Sequence, residues 1–424
     1  MIRIGGSQKV IVGYDLGWNY VQISYCNVEK EQVETISSVA GEEAYVIPMV
    51  LCKRYGMNQW FYGKEALQQA REEQGILVEN LLNLALEGEP VQIEEQEYDP
   101  VALLTLFFKR SLGMLAGVTG TDRIEALMIT CERMDDLMIG ILDRMSANLR
   151  LKTDRITYQS YQESYYYYML RQSQELWKEP SVLFYYHENR MSFFHMECNK
   201  RTTPLVVLIS REEEEFPSRA SMAGGEEAGN ILLDQSFLKF AQEKMGEERI
   251  ASVFLIGEDF SEDWLKGSLK FLCDRRRIFL GNNMFSKGAC YGMLEHFRPS
   301  EAGEKTVYLG EDKLKSNIGM EIMRRGDAAY LALLDAGTSW KNAKSSLEFY
   351  LKEENTLELT ITSLNGGGKR KVPIVLEQLA GDMARIRMDL EMKAENILNV
   401  EISDLGFGEF RPADHQNWVK EIKI

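Results

Sequence analysis

Residues 11–26, IVGYDLGWNYVQISYC, carry an acid–glycine turn, Asp15-Leu16-Gly17, between two runs of strand-forming side chains. Taken alone, such a turn is an ordinary strand reversal far more often than a phosphate site. The other residues able to do chemistry are scattered. The six cysteines (Cys26, Cys52, Cys131, Cys198, Cys273, Cys290) include no C-x-x-C pair and lie mostly in apolar surroundings. That pattern predicts reduced, buried thiols rather than a disulfide framework or a zinc site. His187 and His195 share one segment without ligand-spaced acids or cysteines, and His296 and His415 are solitary, so none is read as a metal ligand. The run Arg275-Arg276-Arg277 could hold phosphate, but in an acidic chain it reads better as a solvated or salt-bridged helix end. The four rings of Tyr165–Tyr168 are expected to pack a helix against a core or interface rather than to form a stacking platform. Asp135-Asp136 and the other carboxylate pairs fall on amphipathic helix faces and show no acid–base spacing.

Composition narrows the field. With 424 residues and 45% hydrophobic side chains, the chain can bury large cores and is expected to hold two or three domains. A formal net charge of −16 argues against nucleic acid or an anionic membrane as partner. The first ten residues have no apolar core, and no apolar run reads as a bilayer span, so a cytoplasmic protein is expected.

The elements that must position these residues alternate between strand and helix over roughly the first 300 positions. Residues 10–14 and 20–25 read as a hairpin, 45–52 as an apolar strand, and 61–71 as a strand end entering a helix. Asp99 and Pro100 are a cap and first-turn pair for a strong helix. Residues 126–131 form a short apolar run typical of a buried strand. Leu137, Met138, Ile141, Leu142, Met145 and Leu149 then fall on one helical face. Residues 181–198 read as a second hairpin, 205–209 as a strand, 212–228 as an acidic loop, 230–245 as a helix and 253–256 as a buried strand. From about Thr306 the period changes to two: Leu357, Leu359, Ile361, then Ile386, Met388, Leu390, Met392, then Leu398, Val400, Ile402. Asn365-Gly366-Gly367-Gly368 is the expected turn between two such strands. This last third predicts an antiparallel β-sandwich with one solvated face, joined by a hinge within 298–312.

In this order the segments resemble the ATPases related to actin, sugar kinases and the seventy-kilodalton heat-shock chaperones. Residues 11–26 look like their first phosphate hairpin. Residues 47–66 look like the Ile-Pro-Ser strand and Gly-x-x-Ala helix start, and 126–170 are similar in layout to the strand, helix and connector. Residues 181–197 fall at the second phosphate hairpin, 253–272 at the adenosine-side turn, and 285–294 resemble the closing helix. Residues 318–410 are similar to the chaperones' peptide-binding sandwich. The resemblance implies an actin-like ATPase-type two-lobed α/β domain over residues 1–303. An antiparallel β-sandwich without a helical lid follows over 304–424, α+β overall.

In that family the first hairpin's amides approach phosphate and its Asp acts through the metal. Carried over by position, Asp15 and Gly17 keep that turn, but Trp18 and Asn19 stand where hydroxyl residues belong. Leu67 aligns with the usual lysine, with Lys64 nearby, and Glu163 matches the connector glutamate. The second hairpin should read Asp-x-Gly-x-Gly-Thr, because unhindered amides cradle phosphate. It reads Tyr185, Tyr186, His187, Glu188, Asn189, Arg190. Gly257 keeps the adenosine turn but its neighbour is Glu258. Only about 50 residues separate the second hairpin from Val253, so the lobe that clamps adenosine is expected to be missing. The resulting expectation is a vestigial nucleotide cleft (Asp15, Gly17, Asn19, Glu163, Gly257) plugged by Trp18, Tyr185, Tyr186 and Arg190. No catalysis, cofactor or metal is expected, and the partner would be a protein or extended peptide. The alternatives are a weak ATPase chaperone holding ATP with magnesium, and an actin-like filament subunit.

Overall fold

Two hairpins organise the first part of the chain. Val10–Leu16 and Tyr20–Asn27 pair antiparallel over seven residues, and Ser181–His187 pairs in the same way with Arg190–Asn199. Each hairpin is extended by parallel strands on its first member. Ile124–Cys131 lies beside Val10–Leu16 and is followed outward by Ile156–Ser160. Ser252–Ile256 lies beside Ser181–His187 and is followed by Arg277–Gly281. On the opposite side each sheet continues with the next strand in sequence, Val33–Thr35 in the first and Leu205–Glu215 in the second. The two sheets therefore repeat one topology. The computed structural model describes all residues except 1–8, 40, 119–122, 150, 188, 219–225, 258–259, 261–262, 282, 353–354, 365–367, 378, 380–382, 407–411 and 414–416.

Helices lie against these sheets where apolar periodicity requires. Pro100–Leu112 begins at Asp99, whose carboxylate accepts the Val101 amide at 3.2 Å, with Pro100 in the first turn. Asp136–Leu149 buries Met138, Ile141, Leu142, Met145 and Leu149, the stripe expected from spacing. Residues Pro100–Gly117 have a mean hydropathy of 1.2 and are long and apolar enough to cross a membrane by length and composition. That corrects the expectation that no run reaches this length. Here Leu103, Leu104, Phe107 and Phe108 pack in the core.

Tyr161–Leu170 and Met284–Phe297 pack against each other and against the sheets. A Cβ on Gly288 would run into Ser164 O, and one on Gly13 would meet Ser286 O and the Cys290 nitrogen. Tyr165 Oη lies 2.7 Å from Ser181 Oγ, tying the first of these helices to the second sheet. Some spans differ from the sequence reading. The strand expected to end at Ile209 continues to Glu215, and the helix expected from Asn230 begins at Glu226. The apolar strand at 45–52 divides into Ile47–Pro48 and Leu51–Arg54, paired to different neighbours. The 365–367 turn lies outside the described residues.

The protein is mixed α/β and divides into two units, Met1–Glu197 with Ile209–Lys305, and Cys198–Leu208 with Thr306–Ile424. The second unit contains two four-stranded antiparallel sheets. One has the order Asp327–Leu334, Ser316–Arg324, Thr356–Ser363, Lys369–Val375, and the other Lys344–Lys352, Met383–Ala394, Ile397–Asp404, Asn417–Lys423. Leu357, Leu359 and Ile361 from the first sheet share one core with Ile386, Met388, Leu390, Leu398, Val400 and Ile402 from the second. This is sandwich packing, with every second side chain inward. Within this unit Leu205–Val207 also pairs in parallel with Thr306–Tyr308.

Candidate functional site

The ends of the two hairpins approach each other, and aromatic and charged side chains fill what lies between them. Asp15 is the last residue but one of the first strand and is fully buried. Its Oδ1 accepts a hydrogen bond from Tyr161 Oη at 2.7 Å, while Oδ2 is buried with no donor among the described residues. Burial pushes the Asp15 carboxyl up to about 7; the Tyr161 hydrogen bond opposes this and the nearby Glu132 charge adds to it. Tyr161 stacks on Phe285, centroids 3.8 Å apart and planes within 5°. It also meets Tyr185 edge-on at 5.8 Å.

Tyr185 comes from the second hairpin, and its hydroxyl lies 2.9 Å from that of Tyr20 in the first. Tyr20, Tyr161 and Tyr185 are 7%, 0% and 2% exposed, so these rings close the interval to solvent. Burial drives all three phenols well above their ordinary range, and they remain neutral donors. His187 lies parallel to Tyr185 with centroids 6.0 Å apart. Tyr186 faces the other way, into the core of the second sheet, where its hydroxyl donates to Pro217 O at 2.7 Å.

A charged cluster lies beside the aromatic one. Trp18 Nε1 donates to the Glu132 carboxylate, and the Arg211 guanidinium pairs with the same carboxylate. Arg211 also pairs with Glu213 and donates to Ser192 Oγ at 3.2 Å. Arg190 pairs with Glu213 at 3.1 Å and lies over the Trp18 ring at 5.9 Å. Glu132 and Arg211 side chains are only 7% and 15% exposed. Removing either partner of such a pair leaves a poorly solvated charge, which outweighs anything an exposed pair contributes. One continuous set of contacts thus runs from the first sheet (Trp18, Glu132) to the second (Arg211, Glu213, Arg190).

Asp15, Trp18, Tyr185 and Arg190 come together here. Tyr186, expected as part of the plug, packs into the second sheet's core instead, because alternate strand residues face opposite ways. Gly17, Asn19, Glu163 and Gly257 serve turns, a cap and close backbone approach. Gly17 donates its amide to Tyr20 O at 3.0 Å within the hairpin turn. Asn19 contributes its carbonyl to the Met49 amide at 2.8 Å. Glu163 forms a capping box with Ser160: its carboxylate accepts the Ser160 amide at 2.7 Å and its own amide donates to Ser160 Oγ at 3.2 Å. Gly257 has φ of +122°, and a Cβ there would collide with Tyr186 O, so glycine is required by backbone geometry and close approach alone. Lys64 is exposed on its helix and Leu67 packs beside Cys52. Glu188, Glu258 and His415 lie outside the described residues.

Sequence reasoning missed Tyr20, Glu132, Tyr161 and Arg211. Glu132 directly follows the buried strand and Tyr161 stands two positions before Glu163, both readable signals. Arg211 stands just ahead of the tract 212–228 read as loop. Among the described residues no group of His, Cys, Asp and Glu could hold a metal ion. His195 instead meets Glu248 at 2.8 Å.

No curated protein matches the chain. Residues 313–424 match a domain of unknown function, DUF8552, and residues 32–311 match the C-terminal model of a family of unknown function, DUF5716. The first of these matches corresponds to most of the sandwich unit, and the second takes in the second hairpin, Glu132, Tyr161 and Arg211. On that longer match, the chain belongs to the DUF5716 family.

Proposed function

We propose that this protein is a non-catalytic binding or scaffolding protein built on an actin-like two-lobed domain whose nucleotide cleft is filled by its own side chains. The observation that carries this reading is the buried Tyr20–Tyr185 contact at 2.9 Å joining the two hairpin ends. In an actin-like ATPase the phosphates lie between such hairpins. A magnesium triphosphate needs open amides and an ionised, solvent-accessible carboxylate there. The residues present do not fit it: Tyr161 and Tyr185 fill the interval, burial disfavours ionisation of Asp15, and Trp18 is bonded to Glu132. The repeated topology of the two sheets supports the actin-like assignment.

The sandwich serves in this reading as the binding module, taking an extended segment by strand addition. Its edge strand Asp327–Leu334 has a single charge, at its first position, and no proline. The far edge of the same sheet, Lys369–Val375, carries Lys369, Arg370, Lys371 and Pro373, devices that discourage pairing.

Titration calorimetry of the full chain with ATP and magnesium tests the reading. No heat of binding is expected. A micromolar affinity abolished by Asp15→Ala would overturn it in favour of a nucleotide-dependent chaperone.

A further inference from the structure

Arg277–Gly281 ends the second sheet, bonded on one side to Ser252–Ile256 and, among the described residues, open on the other. Parallel strands are ordinarily covered on both faces, and free edges are blunted by proline, bulges or charges along their length. This edge has a charge only at Arg277. Ile278, Phe279 and Leu280 follow without proline, and the register with Ser252–Ile256 is unbroken. Phe279 and Leu280 are 38% and 47% exposed. Consecutive side chains point to opposite faces, so the edge is apolar on both. Phe279 is held in place by stacking on buried Phe254, centroids 4.9 Å apart and planes within 14°.

The charge beside this edge opposes that of the protein. In a chain of net charge −16, residues 266–281 carry Lys266, Lys270, Arg275, Arg276 and Arg277 against Asp274 alone. Arg276 is committed to the fold, donating to Phe271 O at 3.1 Å and lying over the Phe271 ring. Arg277 pairs with Glu175, but both side chains are more than half exposed (59% and 72%), and such a pair exchanges readily. Arg275 is exposed, held at φ of +60°, and forms no ion pair or hydrogen bond among the described residues. Lys266 and Lys270 are also exposed.

We propose that the Arg277–Gly281 edge docks an extended segment of a partner protein, acidic at one end and apolar and strand-forming along the rest, which adds to the sheet as a further strand. Main-chain hydrogen bonds supply affinity, Phe279 and Leu280 bury against alternate side chains, and Arg275 and Arg277 set register and speed encounter. The site does not depend on the state of the hairpin cleft. It stands or falls separately from the scaffolding reading, because ATP binding would refute that reading and leave this edge untouched.

The test uses the full chain and a fluorescein-labelled synthetic peptide with a run of glutamates ahead of alternating valine and threonine. A control peptide has lysines in place of the glutamates. Anisotropy should report saturable binding of the glutamate peptide, weakened by salt and by about tenfold or more in an Arg275→Glu/Arg277→Glu variant. Both arginines are exposed, so the variant should melt like the parent. Hydrogen exchange should show new protection of the amides of Arg277–Gly281 when peptide is bound. Equal binding of the lysine peptide, unchanged binding by the variant, or protection confined to other strands would each overturn the proposal. So would a concentration-dependent dimer in sedimentation that protects this edge without peptide, since the occupant would then be a second copy.

Discussion

Asp15 keeps one carboxylate oxygen bonded to Tyr161 and the other buried without a donor among the described residues, and its acid pKa is raised to about 7 by that burial. An unfolded aspartate titrates near 4, so between those values the folded protein retains a proton that the unfolded chain releases. The resulting stabilisation of the protonated state is complete below about pH 4 and is lost as pH rises through about 7. Urea unfolding should therefore show wild type losing about 2–4 kcal/mol relative to Asp15→Asn between pH 4 and pH 8. Parallel pH profiles for the two proteins would contradict the buried-acid account. Glu132 gives a second prediction. Arg211→Met leaves its carboxylate poorly solvated beside Asp15 and Trp18, and should cost about 3–5 kcal/mol. Adding Glu132→Gln should restore part of that loss, a coupling read from a double-mutant cycle. Asp15 was singled out by its Asp-x-Gly spacing and Glu163 by the family resemblance of its segment. The carboxyl's burial and the capping duty of Glu163 were not legible, because both depend on what surrounds the residue.

Secondary structure followed periodicity wherever one face is buried. Pro100–Leu112 matched its cap and Asp136–Leu149 its apolar stripe, since a helix exposing one face must repeat at 3.6 residues. The reading failed at residues 212–215, where charge suggested loop and the chain continues as strand. Strand pairing there satisfies the backbone while the glutamates face solvent, so tertiary pairing overrides composition. The contact between Tyr161–Leu170 and Met284–Phe297 gives a prediction whose sign decides. In an isolated helix Gly288→Ala should stabilise by about 1 kcal/mol. In this protein the added methyl meets Ser164 O, a backbone atom that cannot move aside alone, so thermal melting should show a loss of stability instead. A gain would mean the two helices are not seated so closely.

At the scale of the whole molecule, the two units have separate cores. Leu359 is fully buried in the sandwich, and Leu359→Ala should cost about 2–5 kcal/mol of that unit's stability. Hydrogen exchange should show faster amides across the sandwich sheets, while protection of Ile11 and Val12 in the first sheet stays unchanged. Slowing or speeding of both units together would show that they unfold as one. The amino-acid sequence by itself determined the class of each part: alternating helix and strand, then alternating inward and outward side chains. Those are local consequences of repeat length and of the apolar surface each element must bury. Only the tertiary structure decided what the hairpins do to each other. Trp18 and Glu132 are 114 residues apart, and Glu132 and Arg211 a further 79. No local pattern records that these three meet, because their contact follows from how two sheets of like topology are held by the helices between them. The Asp15 turn is readable in the chain, but that its carboxyl is sealed behind Tyr161, with Tyr185 packed beside that ring, is a property of the fold.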